Sequence, residues 1–114
     1  MSASAPQAVT YAMYPRPPGG AAFRFDMHYY LTSYMPEVEQ QMKPCGLQSY
    51  TVLRFADDDP SGFYIGCMIV FESAEAKVNA MRLPWVATHM ADLEKFTDLK
   101  PTIWNAEVVE KAQG

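Results

Sequence analysis

Over residues 8–14 the side chains alternate, with Val9, Tyr11 and Met13 on one side and Ala8, Thr10, Ala12 and Tyr14 on the other. A period of two is the spacing of an extended strand, so a first strand is expected there, broken by the Pro- and Gly-rich stretch 15–20. From Met27 the period lengthens. Met27, Tyr30, Leu31, Tyr34 and Met35 recur at the i, i+3, i+4, i+7 and i+8 positions of one helical face, and Asp26 is a suitable N-cap. Pro36 has no N–H to offer a helical turn, which predicts a kink or restart in a helix that continues to about Met42.

Gly46 opens a second strand over 46–55, and Asp57-Asp58-Asp59-Pro60-Ser61-Gly62 reads as the turn that joins it to a third strand over 63–71. In that third strand Phe63, Ile65, Cys67, Ile69 and Phe71 alternate with Tyr64, Met68 and Val70, so both faces need cover. Ser73 can cap a helix carrying Ala74, Val78 and Met81, Pro84 can start another that runs to Phe96, and 102–110 can be a last strand. The order β-α-β-β-α-α-β describes one α+β domain over 8–110, flanked by tails 1–7 and 111–114. Helices can cover one sheet face, but 114 residues supply no second sheet for the other. A homodimer is the economical solution.

Composition narrows the partners. Eight Met, seven Tyr and six Phe give adaptable and aromatic lining for an apolar pocket or interface. A net charge of -4 works against nucleic acid, which calls for clustered Lys and Arg. No apolar run reaches the ~18 residues of a membrane-spanning helix, and residues 1–7 lack the features of a secretion signal. A cytoplasmic protein without membrane or nucleic-acid partners is therefore expected. Cys45 and Cys67 have neither Cys-x-x-Cys spacing nor a neighbouring histidine, which reads as reduced, structural thiols, and no metal-ligand spacing joins the two histidines to a carboxylate.

The helix after Pro84 sets Trp85, His89, Asp92 and Phe96 along one stripe, so His89 and Asp92 can touch, the carboxylate raising the imidazole above its reference pKa of ~6.5 for acid-base work. The alternative is that Asp92 caps the following turn and His89 is solvated. Tyr34 points inward with Tyr30 one turn earlier; its phenol can donate a hydrogen bond to a substrate oxygen, or both rings simply pack the core. His28 lies about a quarter turn off the apolar face, at a surface or cavity rim, from where it can serve as a base, while Tyr29 faces solvent. On the strands, Tyr50 and Tyr64, with Met68, are expected on the sheet surface opposite the helices, where a ligand would sit. Arg54 binds a ligand anion there or pairs with the 57–59 turn or Glu72, and Trp104 is a dimer contact or a cavity wall.

Several segments carry a family resemblance. Phe25-Asp26-x-x-Tyr29-Tyr30 leads into Ser33-Tyr34-Met35-Pro36, followed by Gly46-Leu47-x-x-Tyr50, Glu72-Ser73-x-Glu75-Ala76, and Asp92-Leu93-x-x-Phe96-Thr97-Asp98 with Lys100-Pro101. In order and spacing the chain resembles the EthD-like branch of the dimeric α+β barrel superfamily, over roughly residues 8 to 110. That family usually reads Thr-His-Met-Pro where this chain reads Ser33-Tyr34-Met35-Pro36, so Tyr34 stands at a histidine position. The resemblance implies a ferredoxin-like domain with an antiparallel four-stranded sheet, paired face to face in a dimeric barrel.

The same resemblance implies three functions. The first is a cofactor-independent enzyme of cyclase, dehydratase or decarboxylase type acting on a hydrophobic, aromatic polyketide-like metabolite, with Tyr34, His28, His89 and Asp92 as acid-base candidates and Tyr30, Tyr50, Tyr64, Arg54, Trp85, Phe96 and Met68 as substrate contacts. The second is a non-catalytic metabolite-binding or accessory dimer serving an oxygenase or degradation pathway. The third is a cofactor-free anthrone-type oxygenase.

Overall fold

A computed structural model describes residues 5–112. Four antiparallel strands, β1 (Ala8–Pro15), β2 (Leu47–Arg54), β3 (Phe63–Phe71) and β4 (Thr102–Glu107), form one sheet in the order β2-β3-β1-β4. Helices lie over one face: α1 (Met27–Tyr29), a π-helical turn Tyr30–Tyr34, α2 (Met35–Met42), α3 (Ala74–Met81) and α4 (Trp85–Ala91). This is the α+β ferredoxin-like arrangement. β1 and β3 pair at its centre, Thr10 opposite Ile69 and Ala12 opposite Cys67.

The helix starts follow the sequence. Asp26 accepts from the Tyr29 N–H at 3.1 Å and Ser73 Oγ from the Ala76 N–H at 3.0 Å, each satisfying an orphan donor of a first turn. The disturbance at Pro36 takes a specific form. Its ring would crowd the carbonyl four residues back, and the wider π turn ahead of it relieves that conflict, with the Met35 N–H bonding to the Tyr30 carbonyl. A consequence is that Tyr30 and Tyr34 stack side by side, 6.0 Å between centroids and 21° apart in plane.

The two larger boundary changes are both inward. β4 ends at Glu107 rather than 110, and α4 ends at Ala91, the chain tightening into a 3-10 turn at Asp92–Lys95. The second change has a tertiary cause, because the backbone beyond that turn is recruited elsewhere. The Phe96 carbonyl accepts from the Asp26 N–H at 2.7 Å, Thr97 bridges Phe25, and Thr97 Oγ1 donates to the Arg24 carbonyl at 2.8 Å.

Between sheet and helices lie the fully buried Tyr14, Tyr30, Phe71, Phe96, Ile65 and Cys67. Both cysteines are free. The opposite face carries Tyr11, Met13, Met68 and Val70 with Leu53 and Trp104, the last 57% exposed. No helix among the described residues is long and apolar enough to cross a membrane.

Gly46 caps the end of the first helical unit at φ 105°, and a β-carbon there would stand 2.7 Å from Cβ of Ala76. Gly46→Ala should therefore cost about 1–3 kcal/mol from the left-handed backbone alone, with the clash added to it. Urea unfolding checks this, and an unchanged midpoint would mean that the turn relaxes without loss.

Candidate functional site

The sheet register overturns one expectation at once. Tyr50 pairs with Ile69 and so lies on the helix-covered face, and Tyr64 joins it there, its ring meeting Phe23 at 5.0 Å and Phe25 at 5.4 Å. The cause at Tyr64 is a shift in register: Tyr14 faces Ile65 but Pro15 faces Phe63, leaving Tyr64 as the extra residue of a bulge. Pro15 cannot donate to the ladder, which favours the break at that point. Only Met68 stays on the open face, beside Tyr11 and Thr51. Arg54 is exposed with its guanidinium 5.8 Å from the Tyr64 ring, while Arg16 takes the turn carboxylate of Asp57 at 3.1 Å.

An apolar cavity of about 270 Å³ lies on the other side of the sheet, between β1, β3, β4 and the helices. Thr10, Ala12, Tyr14 and Cys67 form part of its sheet side, and Tyr30, Tyr34, Trp85 and His89 part of its helical side. Met35, Met42, Met81 and Met90 complete much of the surface, and among the described residues none of the lining is a Lys, Arg, Asp or Glu. Methionine's unbranched thioether conforms to irregular shapes, so this lining suits a neutral, mostly hydrocarbon ligand.

Four rings run in a row through the helical side. Trp85 and His89 are 4.3 Å apart, His89 and Tyr34 3.7 Å, and Tyr34 and Tyr30 6.0 Å, with interplanar angles of 29°, 21° and 21°. Two local spacings produce the row: the π turn aligns Tyr30 with Tyr34, and the i, i+4 spacing on α4 aligns Trp85 with His89. The pairs meet where the imidazole lies against the Tyr34 phenol.

His89 is 5% exposed, and among the described residues neither ring nitrogen has a hydrogen-bond partner. Its Nδ1 stands 4.0 Å from Glu37 Oε2, while Glu37 Oε1 accepts from Trp85 Nε1 at 2.5 Å. Asp92 instead pairs with Lys95 at 3.4 Å and does not line the cavity. The expected His89-Asp92 dyad is thus replaced by a looser relation to Glu37, the residue just past Pro36. The direction of the pKa shift is reversed as well: burial pushes the imidazole below its ordinary 6.5, outweighing the pull of Glu37 and Asp92. Desolvation wins because both carboxylates keep some contact with water.

Tyr34 faces inward as expected, but its hydroxyl donates to the His89 main-chain oxygen at 3.2 Å. That bond and the stacking make it a support for His89. Burial, then the Asp92 and Glu37 charges, raise its phenol far above the ordinary tyrosine value. Tyr30 is fully buried, its hydroxyl enclosed beside Tyr14 and Cys67. His28 is exposed on α1 and does not reach the cavity. Phe96, at 0% exposure, stands behind the ring row rather than in the lining, and Tyr29 is half-buried against it, stacked at 6.2 Å.

Of the residues singled out from sequence, the cavity therefore gathers Tyr30, Tyr34, Trp85 and His89, and leaves out His28, Asp92, Tyr50, Tyr64, Arg54, Phe96 and Met68. Glu37 and the lining methionines were missed. Helical spacing from Tyr34 to Glu37 was a usable signal for the first. Among the described residues no group of three His, Cys, Asp or Glu could hold a metal ion.

No protein-family model matches the chain, nor does any curated protein. Solved structures do. An EthD-like protein from Ralstonia eutropha JMP134 is 28% identical, with a TM-score of 0.76 over 95% of this chain and 96% of that one. An ethyl tert-butyl ether D (EthD) family protein from Bacillus halodurans C-125 is 22% identical, with a TM-score of 0.64 over 90% of this chain and 99% of that one. SnoaB, a cofactor-independent oxygenase from Streptomyces nogalater, shares the fold at 12% identity, with a TM-score of 0.63 over 95% of this chain and 97% of that one. In fold over nearly its whole length, and in sequence at 28% identity to the Ralstonia protein, the chain is similar to the EthD-like proteins with a ferredoxin-like fold, as segment 25–38 implies.

Proposed function

We propose that this protein is a small enzyme that moves a proton on a neutral, aromatic, oxygen-bearing metabolite inside the cavity between sheet and helices. The observation that carries the reading is the His89 imidazole, buried, pushed toward its neutral form, and held between two rings with no protein partner for its nitrogens. A neutral imidazole accepts a proton at neutral pH without first losing one of its own. Both ring nitrogens lie beneath the cavity surface, so little water reaches them, and a ligand C–H reaches one by a shift of the surrounding side chains.

The roles divide accordingly. His89 is the base, Tyr34 and Trp85 fix its plane, and Glu37 stands near Nδ1 to stabilise the imidazolium formed during reaction. Abstraction of a proton from a carbon beside a carbonyl leaves the bonding pair as an enolate, and return of the proton at another position completes an isomerisation, or precedes cyclisation or loss of water. With Tyr34 at the position where EthD-like proteins often carry histidine, His89 supplies from α4 what the first helix lacks. The acid-base candidates Asp92 and His28 drop out of the proposal on their positions.

A second reading has support from the fold likeness to SnoaB, a cofactor-independent oxygenase. There the same carbanion would add dioxygen, so product formation would consume oxygen mole for mole. An accessory, ligand-storing role would instead give saturable binding with no exchange of substrate protons. Incubation of the protein with 2-tetralone in deuterium oxide separates these readings. Catalysed deuterium uptake without oxygen consumption supports the leading one, and binding without uptake refutes it.

The apolar outer sheet face supports a homodimer paired through Tyr11, Met68 and Trp104. Trp104→Glu would bury a charge in that contact and is expected to yield monomers in sedimentation analysis. A wild-type protein that is monomeric at micromolar concentration would refute the pairing.

A further inference from the structure

We infer that Met81, Met90 and Ile103 form the entrance to the cavity and determine which ligands it accepts: a hydrocarbon substituent on the ring system inside runs out between α4 and β4, against these three side chains. This rests on the reading of the cavity as a ligand site and narrows its substrate class to a neutral ring ketone that carries an apolar extension.

Exposure around the lining locates the opening. On β1, β3 and the first helical unit the lining is buried or half-buried, whereas Met81 is 37% exposed, Met90 44% and Ile103 46%. These three stand at the end of α3, on α4 and on β4, so the opening is a slot beside the edge strand of the sheet. Ile103 pairs with Ala12, another lining residue, while Trp104 turns to the outer face. The slot therefore stays clear of the proposed dimer contact.

The way α4 is held points to the same edge. Trp85 Nε1 donates to Glu37 at 2.5 Å, and the His89 main-chain oxygen accepts from the Tyr34 hydroxyl at 3.2 Å, so both bonds tie α4 to the first helical unit. Toward β4, no hydrogen bond among the described residues joins the helix to the strand. That edge is closed by side chains alone. Two of them are methionines, whose unbranched, rotatable thioethers can turn aside without disturbing the backbone.

Size completes the argument. The chamber, at about 270 Å³, lies just below the usual range of about 300–1,000 Å³ for small-molecule pockets, and its remaining walls are the sheet and the ring row. A molecule longer than the chamber can extend only through the slot. The rim offers thioether and hydrocarbon, so a charged group crossing it would lose water and gain no partner, whereas an alkyl chain or a further ring gains cover.

Binding measurements test this without any turnover. The probes are 6-acetyl-2-dimethylaminonaphthalene and its 6-hexanoyl homologue, neutral two-ring ketones that differ only in chain length and whose emission moves to shorter wavelength when water is excluded. Wild-type protein should bind the hexanoyl probe about tenfold more tightly, because the added methylene groups are partly covered by the rim. Met81→Gln, Met90→Gln and Ile103→Thr together keep the shape of the rim but make it polar; this variant should retain acetyl affinity and lose the preference. Ile103→Trp should fill the slot, slow association of both probes in stopped-flow mixing, and weaken the hexanoyl probe more than the acetyl one. Thr88→Trp, at an exposed position of α4 outside the lining, should change none of these. All the substituted positions are exposed, so thermal midpoints should stay near the wild-type value. A wild type without the preference, a preference that survives the polar rim or is lost in Thr88→Trp, or wild-type rates and affinities in Ile103→Trp would overturn the assignment. Absence of deuterium uptake, with these binding results intact, would instead sink the proposed reaction and leave the entrance standing.

Discussion

His89→Gln should lower the rate of deuterium uptake into 2-tetralone by about a hundred- to ten-thousand-fold, the usual contribution of a positioned general base. Glutamine keeps a planar polar group between Trp85 and Tyr34 but cannot take a proton. In the wild type the rate should rise with pH along a limb centred below 6.5, because burial favours neutral His89. Two ring faces attract a cation by about 0.5–2 kcal/mol, and Glu37 and Asp92 pull the same way, so this limb reports whether desolvation outweighs all of them. Stability should carry the same signature. With the folded value depressed, the unfolded chain binds more protons below 6.5, so His89's contribution is present above that pH and is lost as the pH falls through the folded value. In His89→Gln that part of the acid dependence should disappear. A variant with wild-type exchange, or a limb centred above 6.5, would remove His89 from the role of base.

Phe96→Ala should cost about 3–5 kcal/mol in unfolding free energy, near the top of the range for a single truncation. The ring is fully buried and meets five others, with centroids at 4.7 Å from Tyr34, 5.1 Å from Tyr30, 5.3 Å from Phe25, 6.2 Å from Tyr29 and 6.3 Å from Tyr14. Such edge and tilted pairs add to the cavity penalty. Because Phe96 supports Tyr30 and Tyr34 from behind, the variant should also weaken 2-tetralone binding although the residue is absent from the lining. Urea unfolding monitored by circular dichroism measures the first effect. A loss under about 1 kcal/mol would mean that the surrounding rings close over the gap.

The difference between what was legible in the chain and what was not lies in range. Local periodicity located all four strands, the break at Leu83-Pro84 and the caps at Asp26 and Ser73, since each depends on residues within a few positions. The same local geometry placed Tyr34 inward and His89 on a stripe with Trp85. Strand phase was harder. Alternation tells which residues share a side, but the bulge at Tyr64 and the shift between Leu47 and Ser49 change the count, so Tyr64 and Tyr50 came to face the helices. Pairing between elements was invisible in the same way: Glu37 on α2 meets Trp85 on α4 across 48 residues of chain, with His89 one turn further on, whereas Asp92 was only the nearest carboxylate in sequence. The π turn before Pro36, which aligns two tyrosines along the cavity, follows from a proline conflict whose existence was readable and whose resolution was not.

Ring-nitrogen NMR of His89 at pH 7, recorded without and with 1-naphthol and assigned through its loss in His89→Gln, tests the central claim most directly. A neutral imidazole whose nitrogen signals move on addition of the phenol is the result expected of a buried base that faces the ligand. An imidazolium at that pH, or a neutral ring indifferent to the probe, would contradict it.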